Sequence, residues 1–145
     1  MSGNNVSNAP KWFLVVSIIA LLWNLLGVFG FVMEVTMSEA DIAAMPEARR
    51  ALHDATPAWA NAAFGLATLG GALGSLLLVL KRALAQPLLV LSLVAVIAQV
   101  VYIFVISNAL EILGLNETFV PLVVLVVAVY LVVLARSAKG KGWLT

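Results

Sequence analysis

The run ATPAWANAAFGLATLGGALGSLLLVL occupies positions 55–80, and its reading decides the fold. Its 26 residues lie between Asp54 and Lys81 without a charge, more than the roughly 20 apolar residues that cross a bilayer as a helix. The end Leu76-Leu77-Leu78-Val79-Leu80 does not alternate, which excludes a barrel strand with one wet face. In hydrocarbon every backbone N–H needs a partner inside the segment, so the run is a helix. Three more charge-free runs flank it. Lys11 and Glu34 enclose 22 residues, Arg82 and Glu111 enclose 28, and Glu117 and Arg136 enclose 18. Val123-Val124-Leu125-Val126-Val127 would favour a strand in water, but the lipid solvent overrides that propensity. The expectation is an all-α bundle of four transmembrane helices, spans about 12–33, 57–80, 87–110 and 119–135, in a single membrane domain 11–136.

The prolines fit this division. Pro10, Pro57, Pro87 and Pro121 fall just before or inside the first turn of the four spans, where the missing N–H is not needed. Thr56 is the expected N-cap of the second span, with Pro57 as its first residue. No proline is expected in the middle of a span. The polar stretch 1–10 has no Lys or Arg and no A-x-A site follows the first span, so the stretch is expected to be disordered and the span retained.

Composition narrows the function. Hydrophobic residues make up 63% of the 145 and charged residues 10%, against about 25% charged in an ordinary soluble domain, so a free-standing soluble domain is excluded. With no cysteine and one histidine, His53, thiol chemistry and imidazole clusters are excluded. There is no phosphate-binding loop, HExxH or GxSxG, and no acid–base pair within the spans. Neither an enzyme, a metal site nor a cofactor is expected. Arg136-Ser137-Ala138-Lys139-Gly140-Lys141 is short; it suits anionic lipid and not nucleic acid.

Charge is strongly sided. With the N-terminus inside, one face holds Lys11, Lys81, Arg82, Arg136, Lys139 and Lys141 and no acid. The other holds Arg49 and Arg50 against Glu34, Glu39, Asp41, Glu47, Asp54, Glu111 and Glu117. Six positives to two in short loops predicts both termini, and the tail 137–145, in the cytoplasm, as in a multi-pass protein of a bacterial inner membrane. Trp12, Trp59 and Trp143 fall near the interfaces, where amphipathic rings are favoured.

The outer loop 35–56 is expected to hold two short amphipathic helical segments. Ser38-Glu39-Ala40-Asp41 reads as a capping box, and Pro46 starts a second piece in which Glu47/Arg50 and Arg50/Asp54 are spaced to pair. Ile42, Met45, Ala48, Leu52 and Ala55 form a weak apolar stripe suited to the bundle mouth or the headgroups. This loop is a lid or docking surface on one reading and a solvated connection on the other. His53 reads as a surface residue.

Polar groups inside the spans point to a candidate site. Asn24 and Gln99 each lie twelve residues from their inner helix ends, about 18 Å deep at 1.5 Å per residue. Amides at that depth face the interior and need partners. Asn24, Gly27, Phe31 and Glu34 share a helix face, as do Gln99, Tyr102 and Ile106, and Asn61 sits one turn inside the outer end of the second span. Trp23, Asn24, Asn61, Gln99, Tyr102 and Glu34 are thus candidates to line an outward-opening pocket for a small neutral or cationic solute. The competing reading is that the amides join helices by hydrogen bonds.

In the second span Gly70 and Gly74 form GxxxG, and Ala63, Ala67, Gly71 and Ser75 repeat small residues on an adjacent face. Such residues let backbones approach closely, which predicts a helix central to the bundle or to a subunit contact. The segments Trp23-Asn24, Trp59-Ala60-Asn61, Gly70-Gly71-Ala72-Leu73-Gly74 and Gln99, between Pro10-Lys11-Trp12-Phe13 and Lys141-Gly142-Trp143-Leu144, resemble a set of small uncharacterised bacterial four-helix membrane proteins labelled "sugar transporter". The resemblance covers nearly the whole chain and implies transport, with no site residues to carry over. Small multidrug exporters place a glutamate where this chain has Asn24, and quinone-reducing thiol enzymes and claudin-like proteins need cysteines it lacks. Membrane glutathione-transferase-like proteins rely on charges within their spans, which are missing here. The expected function is a permease or carrier, as a homo-oligomer in the lipid bilayer; the alternative is an accessory subunit docked to a larger membrane partner through the outer loop and glycine face.

Overall fold

A computed structural model describes residues 9–145. The disorder expected for the N-terminal stretch falls on residues 1–8, which lie outside the described residues. Among the described residues the secondary structure is entirely helical. In chain order the helices are α1 (Lys11–Val35), α2 (Glu39–Ala43), α3 (Glu47–Ala55), α4 (Ala58–Val79), α5 (Ala85–Val101), α6 (Ala109–Leu113) and α7 (Leu115–Gly140), with a π-helical turn, Tyr102–Ile106, extending α5. Four of them, Lys11–Val35, Ala58–Val79, Ala85–Ile106 and Leu115–Gly140, are long and apolar enough to cross a membrane.

The outward faces of these helices are apolar: Leu26 is 68% exposed, Val105 70% and Val126 68%. In water such faces would be costly, and in lipid they cost nothing. The interior is built around α4, which packs against both α1 and α5, while α5 carries α7. Small residues make this possible. A Cβ at Gly74 would strike the Leu89 side chain at 2.6 Å, and one at Gly70 would meet Ser92 at 3.4 Å, so these two glycines seat α5. Gly65 and Gly71 face α1, against the Phe31 ring and the Asn24 amide. The glycine face is therefore consumed inside the chain and is not free to dock a partner.

The end that carries Lys11, Lys81 and Lys139 is closed. Phe13, Leu78, Leu89, Leu131, Leu134 and Ala135 form its core. Trp143 caps it, 5.4 Å from the Phe13 ring and 5.7 Å from the Trp12 ring, and Thr145 exchanges backbone hydrogen bonds with Lys81 and Ala83. Both α4 and α7 end here in the same way, with Arg82 N–H bonding Leu77 O and Trp143 N–H bonding Ala138 O, the Schellman geometry that needs a left-handed residue. Gly142 supplies it in one case and Lys81, at φ 57°, in the other.

Several local expectations are corrected. Thr56 does not cap α4; its hydroxyl donates to Leu52 O, and Pro57 itself is the N-cap. α7 begins at Leu115 and runs to Gly140, beyond the charges taken as its limits, because Glu117 in a first turn and Lys139 in a last turn suit the helix dipole. Pro121 consequently lies inside α7, and with no N–H it leaves the Glu117 carbonyl without its usual donor. The third span stops at Ile106, where the π-turn is followed by Asn108 at φ 55°. The side-chain pairs expected within 47–54 do not form; Arg50 donates to Ala43 O and Arg49 pairs with Glu117. Ser38 accepts from Asp41 N–H and donates to the Asp41 carboxylate, opening α2.

Candidate functional site

α1 and α7 diverge from the closed end, and the space between the four long helices is a cavity of about 530 Å³. Trp23, Asn24, Glu34, Asn61, Gln99 and Tyr102 all line it, drawn from α1, α4, α5 and the π-turn. Gly71 and Ala67 reach its wall as well, whereas Gly70 and Gly74 are buried against α5.

The two deep amides do not meet each other, and their roles differ. Asn24 Nδ2 donates to Ala20 O at 2.9 Å and to Ser75 Oγ at 3.1 Å. Its Oδ1 occupies the place where a side chain at Gly71 would be. Asn24 is therefore a tie between α1 and α4, and the glycine is what admits it. Ser92 makes the equivalent tie between α5 and α4, donating to Ala67 O at 2.6 Å. Gln99 and Asn61 are different. Neither side chain has a hydrogen-bond partner among the described residues, and both present their amides to the cavity. The Trp23 indole N–H and the Tyr102 hydroxyl are likewise without a partner in the chain.

Aromatic rings build the walls. Tyr102 stands edge-on to Trp59 at 5.4 Å, and Phe31 to Phe64 at 5.5 Å. Gln99 and Tyr102 lie at the junction where α5 passes into the π-turn, closed by Ser107 N–H to Tyr102 O at 2.8 Å. Turns of this kind recur at functional sites because they re-aim side chains at a cost in helix geometry. The α7 wall is apolar throughout: Val120, Pro121, Val124, Val127, Ala128 and Leu131. All polar groups thus sit on one side of the cavity and a smooth hydrocarbon surface on the other.

At the acidic mouth Glu34 Oε1 lies 2.8 Å from His53 Nδ1. His53 is only 22% exposed at its side chain, so it is not the surface residue expected from the sequence. With Arg49 bound to Glu117 at the start of α7, α3 is pinned to α1 at one point and to α7 at another. Sequence reasoning missed His53, Thr56, Phe64, Thr68 and the whole α7 wall. The i, i+4 spacing of Arg49 and His53 was the available signal that one face of α3 turns inward.

No group of three His, Cys, Asp or Glu side chains capable of holding a metal occurs among the described residues. The arrangement is suited to hydrogen bonding a neutral group through amides and to packing an apolar body against α7. No family model, curated protein or solved structure matches the chain.

Proposed function

We propose that this chain is a small membrane-embedded permease or carrier that binds a small neutral solute between its four long helices. The observation that supports this reading above the others is the pair of unpartnered amides, Asn61 and Gln99, presented to a cavity walled by Trp23, Phe64 and Tyr102. Neither amide is buried against protein; both are open to the cavity, where a ligand or water spares them the cost of an amide left unbonded in hydrocarbon, about 2–7 kcal/mol by transfer measures. Glu34, at the mouth and engaged by His53, is the charged residue on the cavity wall, so the deep part of the cavity around Gln99 offers no charge for an ion. The closed core around Phe13 and Leu131 fits a carrier with access from one side at a time. The positive-inside asymmetry orients the basic end to the cytoplasm of a bacterial inner membrane. The resemblance to proteins labelled sugar transporters points to transport as well.

The accessory-subunit alternative is weaker because the glycine face, one of the two surfaces on which it relied with the outer loop, seats α5. The discriminating experiment measures thermal unfolding in detergent across a panel of neutral solutes, for the wild type and for Asn61→Leu with Gln99→Leu. Stabilisation of the wild type that the double variant loses is expected, with the variant's own unfolding midpoint nearly unchanged. No stabilisation by any solute would overturn the reading.

A further inference from the structure

We propose that the ligand of this cavity is a neutral, bilayer-soluble amphiphile with a hydroxyl or carbonyl head, and that it enters sideways from the membrane between α1 and α7. The inference rests on the reading of the cavity as a binding site and adds the class of ligand and its route.

The route follows from which helices touch. α4 holds α1, and α5 holds α7, but α1 and α7 have no extended contact. They converge at the closed basic end, around Phe13 and Leu134. Further out, Leu26 on α1 and Val120 on α7 both line the cavity while being 68% and 59% exposed. Residues that belong at once to an interior wall and to the outer surface mark the rim of an opening, and this rim lies within the spans. α1 is also thinned beside it. Gly30 lines the cavity, and a Cβ there would meet nothing within 4 Å.

The acidic end is bridged by contrast. α3 bridges the two helices that flank the gap, through His53 to Glu34 on α1 and through Arg49 to Glu117 on α7. A solute arriving from water has to pass this bridge, whereas one dissolved in the bilayer does not.

The ligand class follows from the distribution of polarity. A head group that accepts and donates hydrogen bonds satisfies Asn61 and Gln99, and an apolar body fits the α7 wall. A charged head at the depth of Gln99 would lose its hydration without a counter-charge, since Glu34 lies at the mouth. A phospholipid does not fit, because it holds its polar head at the surface and would set methylenes against the Gln99 amide at depth. Fully polar molecules of similar size would leave their hydroxyls unpaired along α7.

The test compares farnesol with glucose and glycerol by thermal unfolding of the purified chain in detergent, on the wild type, Gly30→Leu, Gln99→Leu and Val120→Trp. Leucine at position 30 fills cavity space, since a Cβ there meets nothing within 4 Å, and the variant's own unfolding midpoint checks that it folds. It also controls for simple partition of farnesol into the micelle. Farnesol is expected to raise the wild-type midpoint saturably, and Gly30→Leu to abolish the shift. Gln99→Leu should weaken binding about fivefold, the loss of one neutral hydrogen bond. Val120→Trp, at the rim, should slow association in stopped-flow tryptophan fluorescence, and association as fast as in the wild type would overturn the sideways route. An equal farnesol shift in wild type and Gly30→Leu would overturn the inference. A Gly30→Leu-sensitive response to glucose or glycerol, with none to farnesol, would also overturn it and leave the binding reading standing. Absence of any response would remove both.

Discussion

Gly71 and Gly30 are both helical glycines on the cavity side, and their surroundings are opposite. A Cβ at Gly71 collides with the Asn24 amide and comes within 3.3 Å of Ser92 Oγ, while one at Gly30 meets nothing. Gly71→Ala should therefore break the Asn24–Ser75 tie and destabilise by about 1–3 kcal/mol, the usual cost of overpacking. Gly30→Ala should stabilise by roughly 0.5–1 kcal/mol through helix propensity alone. Thermal midpoints of the two variants side by side check this, and equal responses would contradict the assigned packing. The sequence shows that both positions are small and sits them in apolar runs. It carries no sign of which one touches a neighbour, because that depends on the rotation of α1 and α4 about their axes.

Helix α3 shows how an element can be legible while its use is not. The capping signals at Ser38 and Pro46 mark where the loop helices start. Spacing within α3 suggested internal pairs among Glu47, Arg50 and Asp54, yet the charges that act are Arg49 and His53, reaching to α7 and α1. Both bridges are partly exposed, so their contribution to global stability is small, about 0–1 kcal/mol each. Their effect is on local order. Arg49→Ala with His53→Ala should leave the unfolding free energy within about 2 kcal/mol of the wild type and speed hydrogen exchange over residues 47–55. Unchanged exchange in that segment would show that the bridge is held by other contacts. The π-turn at Tyr102–Ile106 is the converse case: neither proline nor glycine marks it, so no sequence signal announces it.

At the scale of the molecule, a net charge of +1 divides into +6 at the closed end and −5 at the bridged end. The structure brings Lys11, Lys81 and Lys139 to the same end as the edge-to-face Trp12–Trp143 pair, and Glu34 and Glu117 to the other. The absence of cysteine from the sequence makes single-cysteine labelling clean. With an impermeant maleimide on intact cells, Ala48→Cys is expected to react and Ser137→Cys to react only after lysis. The reverse pattern would invert the orientation and place the bridge in the cytoplasm.

Four spans, their helical state and the sidedness of the charges follow from the sequence by itself. They depend on the local density of apolar and charged groups against a fixed bilayer thickness, which is a one-dimensional property. The candidate amides were visible for the same reason, since a polar group in an apolar run stands out. Only the tertiary structure separates Asn24, tied to Ser75, from Gln99, open to the cavity. It alone decides that α4 is shared by α1 and α5 and that α1 and α7 make no extended contact. These depend on helix rotation and on which small residue meets which large one, and neither is written in the order of residues along a single span.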